Sequence, residues 1–192
     1  MLSSPHRKLI ILTAPSGAGK TSITRYLIAK YPQLSFSISA TTRLPRGTEQ
    51  DGVEYYFMSV QDFQDKIHAN EFVEWEMVYE GKYYGTLRNE LERIWNEGKT
   101  PMLDIDVKGA IHVQGQMEED CLSIFIQPPS VNELRRRLES RGTETPEALA
   151  TRVNKANYEL SFSHHFNKII VNDDLDKACR ETEQAVKEFL GW

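Results

Sequence analysis

The chain has 192 residues, with 23 Lys and Arg against 28 Asp and Glu, a formal net charge of −5 and 40% apolar residues. This negative balance argues against a nucleic-acid-coating protein, which needs a strong basic field. The apolar fraction is ample for a packed core, and the length is typical of one domain, so the composition excludes intrinsic disorder. We expect one compact domain that binds no nucleic acid.

The N-terminal residues predict neither a membrane anchor nor a secretion signal. The first apolar run, Leu9 to Leu12, is far shorter than a membrane span and lacks the features of a signal peptide. Only two cysteines occur, Cys121 and Cys179, and each lies in an apolar pattern typical of a core. We expect a cytoplasmic protein with no membrane partner, disulfide framework or cysteine metal site.

Residues 14–21 follow this first run and read APSGAGKT, which is the phosphate-loop (P-loop) pattern GxxxxGK[ST] except that Ala14 replaces the first glycine. Gly17 and Gly19 let backbone N–H groups turn toward a polyphosphate. The Lys20 ammonium can reach the β- and γ-phosphates, and the Thr21 hydroxyl can hold Mg²⁺. Alanine is strained at position 14 only if its φ must be positive. The residues predicted to bind ATP are Ala14, Pro15, Ser16, Gly17, Ala18, Gly19, Lys20 and Thr21.

Residues 35–86 change to Ser/Thr-rich and aromatic segments broken by glycines, a pattern typical of a small β-rich insert. Within it, Arg43 and Arg46 bring two guanidinium groups together, which suits an acceptor phosphate. Tyr55 and Tyr84 could add hydroxyl donors. By itself, an Arg-x-x-Arg pair is more typical of a solvated loop.

Three later apolar runs complete the strand predictions: residues 102–105, 122–126 and 168–171. Short unbroken apolar runs separated by helical segments are typical of a buried parallel sheet, so the predicted fold class is α/β. Asp104 and Asp106 stand at the end of one such strand, where open α/β sheets bind ligands. Because strand side chains alternate, both carboxylates can point into one site.

Seven sequence blocks, in order along nearly the whole chain, resemble the guanylate kinase family. They are APSGAGKT (14–21), SATTRLPR (39–46), EFVEW (71–75), YYGT (83–86), LDID (103–106), RGTE (141–144) and VNDD (171–174). The resemblance implies the reaction ATP + GMP → ADP + GDP with Mg²⁺ as cofactor, ATP and GMP as small-molecule partners, and no obligate protein partner. Two departures are Ala14 and Thr86, where the family often has glycine and serine.

The resemblance also implies the division of a single domain, residues 1–192. A P-loop parallel-sheet core flanked by helices comprises residues 1–34, 87–129 and 160–192. A small mixed β-rich GMP-binding segment, here called the insert, covers residues 35–86. A helical segment, here called the lid, covers residues 130–159.

For the acceptor, the resemblance implies a GMP site made of Ser39, Arg43, Arg46, Tyr55, Glu74, Tyr84, Thr86, Asp104 and Asp106. The assignment of Glu74 to the guanine base also has an independent chemical reason. Guanine N1–H and N2–H₂ are adjacent donors, and one carboxylate can accept both in parallel. The alternative is that Glu74 is the polar position of an alternating strand. Thr21 is expected to hold Mg²⁺ with Asp104 or Asp106 acting through water, and the sequence leaves the roles of the two acids undivided.

For catalysis, the resemblance implies cationic side chains around the transferred group: Lys20, Arg43, Arg137, Arg141 and Arg152. Asn172 and Asp173 would lie on the adenine side of ATP; the other interpretation is that they cap the final helix, and one residue could do both. The remaining lid arginines, Arg135 and Arg136, are more typical of a solvated helix face.

Two other functions remain open at this stage. Guanylate-kinase-like domains of scaffold proteins have lost catalysis and bind phosphopeptides, but this chain keeps Lys20, Thr21 and the lid arginines. A related P-loop kinase could phosphorylate another acceptor, such as a phosphorylated sugar. Glu74 and Thr86 favour guanine over that alternative.

Overall fold

The computed structural model describes residues 7–140 and 145–192. Its strands are β1 Leu9–Thr13, β2 Leu34–Phe36, β3 Ala40–Thr41, β4 Tyr56–Phe57, β5 Phe72–Tyr79, β6 Lys82–Leu87, β7 Thr100–Asp104, β8 Cys121–Gln127 and β9 Lys168–Val171. Its α-helices are α1 Lys20–Lys30, α2 Val60–His68, α3 Arg88–Asn96, α4 Val107–Met117, α5 Val131–Glu139, α6 Pro146–Leu160 and α7 Leu175–Leu190.

The main sheet has five parallel strands in the order β2-β7-β1-β8-β9. All four strands predicted from apolar runs are present, so the α/β prediction is confirmed. The sequence did not predict β2, whose residues 34–36 pair with residues 100–102 of β7. The expected boundary between core and insert, at residues 34 and 35, therefore falls inside a strand of the main sheet.

The core covers both faces of the main sheet because side chains alternate along each strand. Ile10 and Leu12 of β1 face a cluster with residues of α1, α5 and α7. Leu9 and Ile11 face the opposite cluster, which contains residues of α3 and α4. This two-sided burial explains why the β1 run, Leu9 to Leu12, is apolar without interruption.

The two cysteines lie in the clusters on opposite faces of the main sheet. Cys179 of α7 belongs to the first cluster and Cys121 of β8 belongs to the second. Both are buried and free of disulfide bonds. Their interpretation as small core residues is confirmed.

The insert forms a second, four-stranded sheet in the order β4-β3-β6-β5. Its β3–β4 pair is parallel, whereas the β3–β6 and β5–β6 pairs are antiparallel. Its small core includes Phe63 of α2 stacked on Phe72 of β5, with ring centres 4.3 Å apart. The predicted mixed β insert is thus present as a sheet with its own hydrophobic cluster.

A buried carboxylate on α3 ties the insert to the core helices. Glu90 accepts hydrogen bonds from the Ile38 backbone N–H at 3.0 Å and from the Tyr56 hydroxyl at 2.8 Å. Arg93, one turn later on α3, donates from Nε at 3.0 Å. Because its oxygens are satisfied from both sides, this acid can remain buried.

Side-chain caps mark the start of both lid helices. The Ser130 side chain accepts a hydrogen bond from the Glu133 backbone N–H at the start of α5. The Thr145 side chain accepts one from the Ala148 N–H, and Pro146 is the first residue of α6. In the described ranges, no helix is long and apolar enough to cross a membrane.

Candidate active site

A cavity of about 440 Å³ lies between the carboxyl ends of β1 and β7, the insert sheet and α6. It brings together predicted site residues from the P-loop, the insert and the acidic strand end. These are Ala14, Pro15, Ser16, Gly17, Gly19, Lys20, Thr21, Ser39, Tyr55, Glu74, Tyr84, Asp104 and Asp106. Parallel sheets bind ligands at this edge.

The P-loop backbone adopts a conformation that requires its two inner glycines. Gly17 has φ +93° and Gly19 has φ +98°, both in the left-handed region that side chains disfavour. A Cβ on Gly19 would also lie 2.2 Å from Nδ2 of Asn172. Glycine is therefore needed at position 19 both for backbone conformation and for space.

Ala14, which replaces the usual first glycine, is not strained. Positive φ outside glycine occurs within the described residues only at Asn70 and Glu118. The Ala14 methyl packs beside the main core cluster. The condition under which alanine would distort the loop is therefore not met.

Asn172 fastens the P-loop from the core side. Its Nδ2 donates a 2.7 Å hydrogen bond to the Ala18 carbonyl, and both residues are buried away from the cavity. Neither Asn172 nor the exposed Asp173 caps α7, because the Asp174 side chain accepts from the Lys177 N–H there. The interpretation of Asn172 and Asp173 as helix caps is wrong.

Lys20 and Asp104 form an ion pair at the P-loop end of the cavity. Lys20 begins α1, and Asp104 ends β7 opposite Leu12 of β1. The neighbouring Thr21 is exposed and also lines the cavity. The helix N-terminus, an ammonium, a hydroxyl and a carboxylate therefore meet at one place, which suits a polyphosphate and its counterion.

Glu74 is a buried acid, only 7% exposed, in the same cavity. It faces Thr86 across the β5–β6 pair, and the Thr86 hydroxyl donates to its Oε1 at 2.7 Å. Burial is the main cause that raises the Glu74 pKa to about 7, and the nearby charge of Asp106 adds to this. The Thr86 hydrogen bond acts in the opposite direction without reversing the shift.

The raised pKa makes folding stability depend on pH. The Glu74 pKa is about 7 in the folded protein against an ordinary value of 4.5. Glu74 therefore stays protonated to a higher pH in the folded state than in the unfolded state. The associated stability is complete below pH 4.5 and is lost as pH rises through about 7. We expect wild type to lose roughly 2 to 3 kcal/mol of unfolding free energy relative to Glu74→Gln between pH 5 and pH 8. Urea unfolding of both proteins at both pH values measures this, and an unchanged difference would contradict it.

Asp104 and Asp106 both line the cavity but face different neighbours. Asp104 pairs with Lys20 beside the P-loop. Asp106 begins α4, and its Oδ1 accepts from the N–H groups of Lys108 at 3.1 Å and Gly109 at 2.9 Å. Asp104 therefore lies at the P-loop end of the cavity, and Asp106 lies at the end near Glu74.

Arg43 is buried and held by an acid that the sequence analysis did not identify. Its guanidinium makes a bidentate pair with Glu49 at 2.6 and 2.7 Å, which holds the Glu49 pKa at about 2. The same guanidinium lies 4.7 Å from the centre of the Tyr55 ring. Glu49 also accepts from the Arg46 N–H at 2.8 Å, while Arg46 itself is exposed. Neither Arg43 nor Arg46 lines the cavity, although Tyr55, the aromatic neighbour of Arg43, does.

The lid reaches the P-loop through Arg152, whose guanidinium donates to the Ser16 hydroxyl at 2.8 Å. Arg137 donates to Glu133 and to the Asn172 carbonyl, and does not line the cavity. The predicted residue Arg141 lies outside the described residues.

Arg135 and Arg136, expected on a solvated face, are indeed exposed. Their side chains are 61% and 78% exposed and pair with Glu139 and Glu133 on the same helix. Exposed pairs of this kind contribute little stability. The interpretation of these two arginines as surface residues is confirmed.

Seven cavity residues were not among the site residues predicted from the sequence. They are Ser22, Glu76, Val78, Gly85, Ile105, Lys155 and Glu159. Glu159 is 6% exposed and its pKa is raised, chiefly by burial, with Lys155 at 3.7 Å as its ion-pair partner. The available signal was an i, i+4 Lys–Glu pair, which is more often a surface feature.

A parallel sheet with a lysine-bearing phosphate loop at its edge, and a second sheet across the cavity, is the arrangement of a P-loop kinase. A family model described as guanylate kinase matches residues 6–189. The chain belongs to the guanylate kinase family.

Individual relatives agree with this assignment. A guanylate kinase of Bacteroides fragilis is 48% identical over 99% of this chain and 95% of its own length. One of Porphyromonas gingivalis is 50% identical over 95% of this chain and 98% of its own length. The crystal structure of guanylate kinase from Anaplasma phagocytophilum is similar with a TM-score of 0.74 and 29% identity, covering 94% of this chain and 85% of that one.

Proposed function

We propose that this protein transfers the γ-phosphoryl group of ATP to the phosphate of GMP, producing ADP and GDP. The observation that carries the proposal is Glu74, a buried carboxylate in the same cavity as the P-loop. A buried acid is costly unless a ligand or neighbour satisfies it. The Thr86 hydroxyl donates to Oε1, whereas Oε2 lies beside Gly109 of α4, so a bound ligand would supply the remaining hydrogen bonds of this carboxylate.

Guanine fits this carboxylate by its pattern of donors. Its N1–H and N2–H₂ present two adjacent hydrogen atoms, which stabilise the ionised form of Glu74 when GMP binds. Adenine has no such pair and would leave the acid without partners, which a buried site penalises strongly. Asp106 lies on the same side and belongs to the guanine end of the site.

The acceptor phosphate is assigned to Ser39, Tyr55 and Tyr84, together with Arg43 and Arg46. The two tyrosine rings meet edge to face with centres 6.0 Å apart. The Arg43 guanidinium lies over the Tyr55 ring, so its positive charge is next to this tyrosine. Glu49 holds that guanidinium in place and so fixes one side of the phosphate site.

The donor triphosphate is assigned to the P-loop. Backbone N–H groups turned by the two glycines at positions 17 and 19 bind the phosphates. The Lys20 ammonium stabilises the negative charge that moves from the donor to the acceptor phosphate in the transition state. Arg152 is hydrogen bonded to Ser16 of the same loop and brings lid charge to the triphosphate. Arg137 and Arg141 complete the proposed set of lid cations.

Mg²⁺ is the metal that this reaction implies, and the oxygen donors at the P-loop end fit it. No cluster of three or more His, Cys, Asp or Glu in the described part of the chain could hold a metal by itself. Mg²⁺ in kinases typically binds through one or two protein oxygens plus the phosphates. Thr21 would supply a hydroxyl to the metal, and a carboxylate would act through a bound water. We assign this carboxylate to Asp104 rather than Asp106, because Asp106 already caps α4. When bound, Mg²⁺ neutralises charge on the phosphoryl oxygens.

The insert and the lid are proposed to close over the core when both nucleotides bind, which excludes water from the transfer. We expect the radius of gyration, about 16 Å for a chain of this length, to decrease when a bisubstrate inhibitor joining adenosine and guanosine is added. Small-angle X-ray scattering measures this. Scattering curves that superimpose with and without the inhibitor would contradict closure, and addition of adenosine alone is the control.

The experiment that tests the proposed function is product formation from ATP, GMP and Mg²⁺, followed by chromatography of all nucleotides. The proposal expects ADP and GDP in equal amounts and no free phosphate. Free phosphate in place of GDP would identify an ATPase and contradict the proposal. A matched sample with EDTA tests the metal requirement.

A further inference from the structure

A glycine on α4 lies directly against the carboxylate of Glu74. Helix α4 packs on β5, the strand that carries this acid. A Cβ placed on Gly109 would be 2.6 Å from Oε2 of Glu74 and 3.2 Å from its Cδ. Contacts this short do not occur between real atoms, so any side chain at position 109 must displace the acid or the helix.

The helix conformation gives no reason for a glycine at this position. Gly109 is not one of the glycines with positive φ, and a glycine inside a helix is less stable than alanine. Its N–H is bonded to the capping Asp106, which fixes the first turn of the helix. The first turn of α4 therefore cannot easily shift, and the Glu74 carboxylate would have to move instead.

The Glu74 carboxylate is consequently held between two elements. The Thr86 hydroxyl on β6 binds Oε1, and the bare Cα of Gly109 on α4 borders Oε2. We infer that Gly109 is a specificity-determining positioning residue that leaves room for the Glu74 carboxylate in the orientation that binds guanine. This inference rests on the proposed function, because it concerns how the same site recognises the base.

A matched control is present on the same helix. Gly115 also lies in α4, and a Cβ placed there meets no atom within 4 Å. Gly109→Ala and Gly115→Ala make the same chemical change in the same helix and differ only in what the new methyl group contacts. An effect of helix propensity alone would appear in both variants.

The test measures kcat and KM for GMP and for IMP, which keeps N1–H but lacks the N2 amino group, together with KM for ATP. We expect Gly109→Ala to lower kcat/KM for GMP by about 10- to 100-fold, the equivalent of one charge-assisted hydrogen bond. The loss for IMP is smaller, so the preference for GMP over IMP falls. KM for ATP stays unchanged, and Gly115→Ala matches wild type throughout.

A second variant separates a clash with Glu74 from a general loss of structure. Glu74→Asp withdraws the carboxylate by one methylene, so in that background the Gly109→Ala methyl group has space. We expect Gly109→Ala to cost little further activity or thermal stability when combined with Glu74→Asp, a non-additive result in a double-mutant cycle.

The outcomes distinguish the two claims. Wild type that does not turn over GMP contradicts the proposed function and, with it, this inference. Active wild type with Gly109→Ala equal to Gly115→Ala overturns the inference alone. If Gly109→Ala fails to fold but the Glu74→Asp combination folds, the clash is confirmed. If both fail to fold, glycine is required there for another reason and the inference is overturned.

Discussion

Replacement of Lys20 with alanine is expected to lower kcat by about 10²- to 10³-fold or more while the protein stays folded. The lysine ammonium is needed most in the transition state, when charge moves between the donor and acceptor phosphates. Its partner is Asp104, and both side chains are partly exposed, so loss of the pair costs little stability. Steady-state ADP formation and thermal unfolding of the variant measure the two effects.

The control for this variant is Lys82→Ala, which removes an exposed lysine at the start of β6, away from the cavity lining. It should retain wild-type kcat. Turnover of Lys20→Ala close to that of wild type would contradict the assignment of the P-loop as the donor site. Loss of activity through unfolding would appear in the melting curve rather than in kcat of the folded fraction.

Glu74→Gln is expected to lower kcat/KM for GMP by about 10²- to 10⁴-fold, the equivalent of two charge-assisted hydrogen bonds. The amide keeps the size of the side chain and can still accept the Thr86 hydroxyl. Its NH₂ group, however, faces the donors of guanine, so donor meets donor. Activity with AMP has no such contact to lose, and the ratio of kcat/KM for GMP over AMP therefore falls.

The matched control is Glu71→Gln, the same change at an exposed acid beside the start of β5 that pairs with Lys66. It should leave both nucleotides unaffected. An unchanged ratio of GMP to AMP in Glu74→Gln would show that another group recognises the base. A fall in ATP affinity of the same size would show that the substitution acts on the whole cavity rather than on the guanine.

The main sheet and the P-loop could be predicted because their signals are local. Each predicted strand is a short, mainly apolar run, and residues 14–21 carry the loop pattern in the correct order with strand and helix. Strand β2 could not be found in this way, because it has only three residues and its pairing with β7 is long-range. The two-residue strands β3 and β4 could not be found either, because they are defined only by their pairing within the insert sheet.

The sequence identified many of the residues that line the cavity but missed others, and it did not predict their contacts. Asn172 was expected near adenine, yet its side chain binds the Ala18 carbonyl, a contact across 154 positions of the chain. Glu49 is close to Arg43 in sequence, but only the loop conformation turns it into a bidentate partner. The space left by Gly109 beside Glu74 likewise exists only after α4 packs on β5. Sequence patterns report residue types, whereas such contacts depend on tertiary packing.

ADP formation with ATP and Mg²⁺, measured against a panel of acceptors, tests whether GMP is the acceptor. The panel contains GMP, dGMP, AMP, CMP, UMP and a phosphorylated sugar, and kcat/KM is determined for each. We predict rapid turnover confined to the guanine nucleotides. Faster turnover of another acceptor, or no turnover by folded protein that still binds GMP, would contradict it.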